Sequence, residues 1–413
     1  MASIRRVVVV GSGRAGIRTA EALRKRGFDG SITVLGAESE LPYDRPPLSK
    51  EFLQKRKTRD EVLLHPASWY GENDVELRLG TEVEEIDRDA AELVLPDGER
   101  VPFDALVLAT GSTPRTLDVP GADHDGVHYL RRLDDSESLR QALDTGSRLA
   151  IIGGGWIGLE CAAAGRRAGL DVTLLEAESL PLGKVLGLEM AQLFVDLHRE
   201  KGVDIRTGVK VESLETHGDR ITGVELADGE VVEADVVLVG VGIAPNTGLA
   251  EKAGLDVDNG IVVDEHLRTV DPRIWAVGDV ANATRPPLGR RLRVEHWAEA
   301  DRQPDAAAAS IVGDGDPYDA RPFFFSDQYD LGMEYRGFAG SDDYDRVVVR
   351  EKDRADETEK RELLAFWVKD AKVLAAMNVN VWDVEDDVEA LLARDEPVDL
   401  QRLADPDVPL GKV

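Results

Sequence analysis

Cysteine is almost absent from this chain of 413 residues, which contains one, Cys161. A single cysteine excludes an intramolecular disulfide, so we expect a reducing, cytoplasmic location. Long apolar runs are missing as well, and none approaches the roughly 18 residues that indicate a membrane span. The N-terminal run Val7–Val10 is too short for the apolar part of a signal peptide. We therefore expect neither a membrane segment nor a secretion signal.

Basic charge is also scarce, since 50 lysines and arginines face 80 aspartates and glutamates, for a formal net charge of −30. Such a chain is repelled by nucleic acid and by anionic membranes, which excludes both as expected partners. Its histidines are scattered and form no ligand pattern, so no metal site is expected. Hydrophobic residues at 42% and charged residues at 31% are typical of a folded globular protein with two or three domains.

A strand–turn–helix–strand unit occurs twice. In the first unit IRRVVVV (4–10) leads into Gly-x-Gly-x-x-Gly, a helical pattern over 17–27 and the strand SITVLG (31–36). In the second, RLAII (148–152) leads into GGGWIG, a helix over 159–168 and the strand DVTLLE (171–176). This order is typical of dinucleotide-binding α/β domains, and its recurrence makes two ordinary tight turns an unconvincing explanation.

Each glycine of such a turn has its own physical role. The first permits the tight bend, the second lets a pyrophosphate approach the backbone, and the third lets the helix pack against the strand. The helix N-terminus then attracts the phosphates. By this spacing the two sets are Gly11, Gly13, Gly16 and Gly153, Gly155, Gly158.

An acidic residue follows the second strand of each unit. Glu176 ends DVTLLE, where it can accept hydrogen bonds from both ribose hydroxyls and repel a 2′-phosphate, which favours NADH over NADPH. In the first unit Glu38 is the corresponding acid, and a ribose contact and a solvated loop charge are equally good interpretations of it. Two dinucleotide sites favour a bound flavin that takes a hydride from NADH and passes electrons onward.

A family resemblance adds to this interpretation. The stretches LPYDRPPLSKEFL (41–53), ATGSTPR, GGGWIGLE, GVGIAPNTGLA, WAVGDVA, EHWAEADRQ and FSDQYDLGMEYRG together resemble the ferredoxin-reductase group of FAD-dependent pyridine-nucleotide oxidoreductases. The resemblance covers about residues 4–380. It implies an α/β fold of two doubly wound dinucleotide-binding domains plus an α+β C-terminal domain. The implied boundaries are 1–112 and 246–320 for the two FAD segments, 113–245 for the NAD domain and 321–413 for the C-terminal domain.

The resemblance also implies site residues. Lys50 is expected at the flavin N5 edge and Glu160 as its acidic partner, and this pair forms the catalytic assignment. It is expected to bridge the FAD and NAD domains. Cofactor contacts on the FAD side are expected from Gly11, Gly13, Ala15, Gly16, Glu38, Arg45, Lys50, Val83, Thr110, Gly111, Arg131, Asp279, Glu295, His296 and Trp297. On the NAD side they are expected from Gly153, Gly155, Ile157, Gly158, Glu160, Glu176 and Gly242.

The chain departs from the family pattern at a few positions. Ala37 stands where an acid is common, and Phe323–Phe325 replace a more tryptophan-rich stretch. Related disulfide reductases carry two cysteines soon after the first glycine unit, but residues 38–53 contain none. Cys161 is therefore interpreted as a packing residue. Electrons must then leave directly from the flavin.

The resemblance implies an FAD-dependent NADH:ferredoxin reductase that serves a Rieske oxygenase or a cytochrome P-450 through a small iron–sulfur protein. Two alternatives stay open: a flavoprotein that reduces a small acceptor such as monodehydroascorbate, a quinone or oxygen, and a redox signalling protein similar to apoptosis-inducing factor. Monomer and homodimer are both compatible with the sequence. Two basic clusters, Lys55–Arg59 and Arg290–Arg293, are either a docking patch for an acidic partner or solvated loops.

Overall fold

The computed structural model describes residues 4–218, 220–352 and 360–413. The helices are α1 (Arg14–Lys25), α2 (Ala67–Glu72), α3 (Leu133–Thr145), α4 (Trp156–Ala168), α5 (Gly183–Glu200), α6 (Gly248–Lys252), α7 (Trp297–Val312), α8 (Glu385–Leu392) and α9 (Leu400–Ala404). Short 3-10 turns lie at Pro46–Ser49, Asp60–Val62, Gly278–Val280, Pro286–Leu288 and Leu410–Lys412. No helix of these ranges has both the length and the apolar character needed to cross a membrane.

The strands of the N-terminal half are β1 (Arg6–Val10), β2 (Ser31–Leu35), β3 (Val75–Arg78), β4 (Glu85–Asp87), β5 (Glu92–Val94), β6 (Arg100–Pro102), β7 (Ala105–Leu108), β8 (Ser112–Pro114), β9 (Val127–His128), β10 (Arg148–Ile152), β11 (Asp171–Glu176), β12 (Val203–Thr207) and β13 (Val211–His217). Those that follow are β14 (Arg220–Leu226), β15 (Val231–Glu233), β16 (Val236–Val239), β17 (Ile243–Pro245), β18 (Ile261–Val263), β19 (Ile274–Ala276), β20 (Ala281–Arg285), β21 (Arg290–Leu292), β22 (Phe323–Gln328), β23 (Leu331–Gly337), β24 (Arg346–Glu351), β25 (Leu363–Lys369) and β26 (Lys372–Val379).

The chain forms two compact units. Unit 1 contains the described residues up to Pro46, Thr58–Thr113 and Ile243–Pro322. Unit 2 contains Pro47–Lys57, Pro114–Gly242 and the described part of Phe323–Val413.

Unit 1 is built on a parallel sheet with the strand order β19-β7-β1-β2-β3. Val7–Val10 of β1 are all buried, as expected for a strand covered on both faces, and they pair with β2 and β7 in parallel register. Because parallel strands all end at one edge, the turn after β1 and the loops after β2 and β7 meet there. Two small sheets, β4-β5-β6 and β18-β20-β21, belong to the same unit.

The part of unit 2 that contains the second glycine turn repeats this plan. Its parallel sheet has the order β12-β11-β10-β16-β9, with β10 in the centre and the antiparallel sheet β13-β14-β15 beside it. Helix α4 follows β10 as α1 follows β1, and both helices begin at the residue after the second glycine of the turn. The predicted helices start a few residues later than the real ones because the turn residues carry no apolar pattern.

The C-terminal part of unit 2 is an antiparallel sheet, β22-β23-β26-β25-β24, followed by α8 and α9. The segment KDAK (369–372) separates two apolar stretches, a pattern that predicts a hairpin. The hairpin is present between β25 and β26, with Asp370 and Ala371 in the left-handed region at φ 50° and 60°. The observed mixture of parallel α/β layers and a C-terminal sheet is the predicted fold class.

The segment Pro47–Lys57 belongs to unit 2, whereas the family resemblance implies that it lies in the first FAD segment. Packing explains this assignment. Leu53 is buried in the apolar core of unit 2, and the Ser136 hydroxyl at the start of α3 donates to the Leu48 carbonyl oxygen at 2.7 Å. Lys50 and Glu160 consequently lie within the same compact unit.

Candidate active site

The two glycine turns have the same geometry. Gly11 and Gly153 both have positive φ. A Cβ on Gly11 would lie 2.2 Å from the carbonyl oxygen of Ala109, which follows β7. A Cβ on Gly153 would lie 2.4 Å from the carbonyl oxygen of Gly240, which follows β16. The third glycine of each turn packs against the first, since a Cβ on Gly16 would approach the Gly11 carbonyl oxygen to 1.9 Å. Gly158 repeats this contact with Gly153 at 2.2 Å. Backbone packing alone therefore requires glycine at these positions.

The second glycine of each turn has a different environment. A Cβ on Gly13 or Gly155 would meet no atom within 4 Å, and both residues have an extended backbone that any residue adopts. The protein's own packing thus does not explain glycine here. An open space at a helix N-terminus, kept free of a side chain, fits the pyrophosphate of a dinucleotide. Both turns fit such a group by this criterion.

The acids after the second strands are held in place. In unit 2, Glu176 Oε2 accepts from the Gly154 amide at 2.7 Å and Oε1 accepts from the Glu178 amide at 2.8 Å. The carboxylate is thereby fixed beside the glycine turn. In unit 1, Glu38 accepts from the Tyr43 hydroxyl and forms an ion pair with Arg45 at 2.7 Å. Glu38 is therefore part of a structured cluster, and its ribose contact stays a prediction.

Other predicted FAD contacts meet at the same end of unit 1. Thr110 donates to the Asn246 carbonyl oxygen at 2.8 Å, and the Asn246 amide reaches the Gly111 carbonyl oxygen at 2.9 Å. The Ser112 hydroxyl donates to Asp279 Oδ2 at 2.8 Å, which orients the carboxylate after β19. Val83 is buried in the apolar core, so packing by itself accounts for that residue.

The turn into α7 carries Glu295, His296 and Trp297. His296 caps the helix, because its Nδ1 accepts from the Ala298 amide at 3.1 Å. The Trp297 indole donates to Asp44 Oδ1 at 3.2 Å, and the Arg14 guanidinium lies 4.0 Å from the centre of its ring.

Sequence reasoning missed Arg14. This residue occupies a variable position within the first glycine motif and pairs with Asp44 at 2.8 Å and Asp301 at 2.7 Å. It places a positive charge on the first residue of α1, beside Gly13. Only its position directly after the second glycine could have indicated a role, and that signal is weak.

Lys50 and Glu160 meet in unit 2. The Lys50 ammonium lies 3.2 Å from Glu160 Oε1 and 3.6 Å from Asp327 Oδ2, and only 8% of the Lys50 side chain is exposed. The Phe325 ring covers the ammonium, with its centre 4.8 Å away. Glu160 is 6% exposed, whereas Asp327 is 61% exposed. Lys50 is therefore a buried cation held between a buried and an exposed carboxylate.

Two hydroxyl groups complete the shell of Glu160. Ser49 donates to Oε2 at 2.5 Å and Ser326 donates to Oε1 at 2.8 Å. Burial raises the pKa of Glu160 above its ordinary value, and Lys50 and the two serines oppose that rise. A buried carboxylate with a cation and two hydroxyl donors is satisfied as an anion. The serines were not assigned from sequence, although both lie inside the motifs that carried the resemblance.

The remaining predicted residues of unit 2 surround its glycine turn or its edges. Ile157 is 43% exposed on the first turn of α4, and Gly242 has a φ of 104° with its carbonyl oxygen bonded to the Arg115 amide. Arg131 precedes α3, and its amide donates to Asp135.

Cys161 is buried in α4, and burial together with neighbouring Glu160 raises the pKa of its thiol. That environment keeps a thiol protonated and unreactive.

The predicted docking clusters need one correction. Arg293 is only 8% exposed and is paired with Glu295, while its guanidinium also reaches the Asp279 carbonyl oxygen at 3.3 Å. It therefore supports the Asp279 turn and is not available to a partner. Arg290 and Arg291 on β21 are exposed. In the other cluster Lys55 pairs with Asp144 at 2.5 Å.

Comparison with known proteins identifies the family of the chain. Residues 5–303 match the family model described as pyridine nucleotide-disulphide oxidoreductase, and residues 323–413 match the reductase C-terminal model. The chain belongs to the pyridine nucleotide-disulphide oxidoreductase family.

Individual relatives extend over most of the chain. Rhodocoxin reductase from Rhodococcus erythropolis is 42% identical over 345 residues, which is 83% of this chain and 80% of the relative. The ferredoxin–NAD(+) reductase component of the anthranilate 1,2-dioxygenase system from Burkholderia cepacia is 40% identical and covers 98% of both chains. A crystal structure of a covalent putidaredoxin reductase–putidaredoxin complex matches with a TM-score of 0.92 at 38% identity, covering 99% of this chain and 98% of the other.

Proposed function

We propose that this protein is an FAD-dependent NADH:ferredoxin oxidoreductase that supplies electrons to an oxygenase or cytochrome P-450 system. The observation that carries this proposal is the buried Lys50–Glu160 pair, in a chain with two dinucleotide turns and one cysteine. Relatives named as reductases of ferredoxin, rhodocoxin and putidaredoxin support the choice of acceptor.

The bound FAD supplies the chemistry, since it accepts a hydride from NADH and gives up electrons singly. The protein's residues supply binding and charge. In this proposal the amides around Gly13 and the N-terminus of α1 bind the FAD pyrophosphate, with Asp279 orienting the ribityl chain. The amides around Gly155 bind the NADH pyrophosphate, and Glu176 accepts from the adenosine ribose hydroxyls.

When FAD is bound, Lys50 would supply a positive charge to the flavin. A cation that is buried and already paired needs little reorganisation when negative charge develops next to it, which is the condition for electrostatic stabilisation. Glu160 orients Lys50 through the ion pair, and the two serine hydroxyls compensate for the desolvation of the Glu160 carboxylate. Phe325 over the ammonium restricts the access of water.

The route of the electrons follows from the cysteine content. A thiol relay needs two sulfur atoms, and Cys161 is the single cysteine and is buried. Electrons must therefore pass directly from the flavin to the acceptor, which suits a small one-electron iron–sulfur protein such as a 2Fe–2S ferredoxin. One cysteine also suits a reducing compartment, so we place the reaction in the cytoplasm.

Spectroscopy and rapid kinetics test the proposal. The purified protein is expected to show the absorption of an oxidised flavin, and NADH is expected to bleach that absorption anaerobically. Stopped-flow mixing of the reduced protein with a 2Fe–2S ferredoxin, with oxygen and with a quinone then compares acceptors. Reoxidation by ferredoxin is expected to be at least about tenfold faster than by the other two at equal concentration. Equal rates would favour a small acceptor, and a protein that binds no FAD would refute the proposal altogether.

A further inference from the structure

Behind Glu160, a chain of buried polar side chains continues away from Lys50. Ser326 Oγ is 2.8 Å from Glu160 Oε1, Gln328 Nε2 is 3.2 Å from Ser326 Oγ, and His198 Nε2 is 2.8 Å from Gln328 Oε1. Ser326 is 1% exposed, and Gln328 and His198 are both 0% exposed. The chain joins α4, β22 and α5 within unit 2. Nothing in the proposed chemistry uses its last member, His198.

Hydrogen-bond chemistry gives this chain one direction. An ionised carboxylate only accepts, so Ser326 must donate its single hydrogen to Glu160. The Ser326 oxygen is then left to accept, which requires the amide nitrogen of Gln328 to face it. The Gln328 oxygen consequently faces His198, and an oxygen acceptor requires a hydrogen on His198 Nε2. The ionised state of Glu160 thus fixes the tautomer of a histidine three hydrogen bonds away.

The other face of the imidazole is consistent with this tautomer. His198 Nδ1 lies 3.4 Å from the Tyr329 hydroxyl, which can donate to its lone pair. Burial lowers the pKa of His198 to about 4, so the ring is neutral near pH 7. The charged groups around this end act on Tyr329: Arg166 and Arg167 through their charge, and the Lys201 ammonium at 5.8 Å from its ring centre. The charged groups near Glu160 are Lys50, which pairs with it, and Asp327, which pairs with Lys50 on its other side.

From these contacts we infer that His198 is a positioning residue that acts through Gln328 and Ser326 to keep Glu160 ionised beside Lys50. Each donor in the chain points toward the carboxylate, and hydrogen bonds aligned in a low-dielectric interior strengthen one another. Without the His198 donor, the Gln328 amide is free to rotate and present its oxygen to Ser326. The Ser326 hydrogen then turns toward that oxygen, and Glu160 loses one of its donors.

Three substitutions separate positioning from packing. His198→Leu removes the donor, His198→Gln keeps a side-chain N–H that can reach Gln328, and Ser326→Ala removes the last link. His128→Leu is the matched control, because His128 is also buried in unit 2 but contacts Ser138 instead of this chain.

The first readout is independent of activity. Infrared spectra of the FAD-bound protein over a pH series follow the carbonyl band of a protonated carboxylic acid, and Glu160→Gln identifies the band that belongs to Glu160. His198→Leu and Ser326→Ala are expected to move its midpoint up by about one pH unit. His198→Gln and His128→Leu are expected to leave the midpoint at the wild-type value. In wild-type protein, 15N NMR of labelled histidine is expected to show the hydrogen of His198 on Nε2.

The second readout rests on the proposed function. The acid limb of kcat/KM for NADH, measured with ferricyanide as acceptor, is expected to move with the infrared midpoint in each variant. A wild-type infrared midpoint in His198→Leu, together with a shifted one in Ser326→Ala, would overturn the inference and leave His198 a packing residue. A shifted midpoint in a protein without NADH oxidation would instead refute the proposed function and retain the positioning role.

Discussion

Removal of the Lys50 charge tests the energetics of the candidate site most sharply. In Lys50→Met, Glu160 keeps its two serine donors but loses the cation 3.2 Å away. At that separation and an effective dielectric constant of 20, the direct attraction is about 5 kcal/mol. Breaking a buried pair from one side typically costs about 3–5 kcal/mol. We therefore expect Lys50→Met to lower the free energy of unfolding by about 3–5 kcal/mol at neutral pH.

Glu160→Gln is expected to lower the free energy of unfolding by less than Lys50→Met does. In Glu160→Gln, Lys50 still has Asp327 at 3.6 Å, and that carboxylate is largely exposed and so already solvated. The double variant Lys50→Met/Glu160→Gln contains no unpaired buried charge, so we expect it to be more stable than Lys50→Met alone by about 2 kcal/mol. Urea titrations of FAD-bound protein followed by circular dichroism measure all four proteins of this cycle.

The stability loss in Lys50→Met is expected to depend on pH, because Glu160 changes charge in the acid range. The pKa of Glu160 in the folded protein is raised above its unfolded value of about 4.3. A group with a raised folded pKa stabilises the protein below the unfolded pKa, and this contribution is lost as the pH rises through the folded pKa. Loss of the cation increases the shift, so the deficit of Lys50→Met is expected to grow from about pH 4 toward neutral pH. If the deficit stays constant with pH, or if the double variant loses the sum of the two single losses in free energy, the Lys50–Glu160 attraction does not determine the stability of this site.

Three further predictions concern the nucleotide turns and the surface. Gly13→Ala is expected to fold normally but to weaken FAD binding at least about tenfold in equilibrium titrations. Gly16→Ala is expected to lower the free energy of unfolding by several kcal/mol, because its Cβ would meet a backbone oxygen. Glu176→Ala is expected to raise the KM for NADH about tenfold and to reduce the ratio of kcat/KM for NADH to that for NADPH. Arg290→Glu/Arg291→Glu is expected to raise the KM for ferredoxin about tenfold at low salt and to leave ferricyanide reduction unchanged.

Each of these predictions has a contradicting result. Equal destabilisation by the two alanine substitutions would mean that the second glycine is not reserved for a ligand. An unchanged nucleotide preference in the Glu176 variant would remove that carboxylate from the ribose site. Equal losses with ferredoxin and with ferricyanide would exclude a docking role for the exposed arginines of β21.

The sequence predicted the local parts of the fold well. A glycine turn between a buried strand and a helix depends on contacts over a few residues, so Gly11, Gly16, Gly153 and Gly158 occupy the predicted geometry. The order of strands and helices around them follows from the same short-range patterns. The C-terminal hairpin at Asp370 and Ala371 was predicted from the short segment KDAK between two apolar runs.

The site itself needed information that short-range patterns do not contain. Lys50 and Glu160 are 110 positions apart, and the family resemblance alone brought them together in the prediction. Ser326 lies still further along the chain. The sequence around a serine does not indicate that its hydroxyl group will bond to a carboxylate. Arg293 illustrates the opposite error, because three arginines close together in the sequence do not reveal which side chain is buried and paired.

In the proposed reaction, electrons pass from NADH to a bound flavin and then directly to an acceptor, with no thiol between them. Anaerobic titration of the purified protein with NADH, followed by flavin absorbance, tests it most directly. We expect complete bleaching with about one equivalent of NADH per flavin, in wild-type protein and in Cys161→Ser alike. A requirement for about two equivalents, as a flavin with a redox-active disulfide needs, would contradict it.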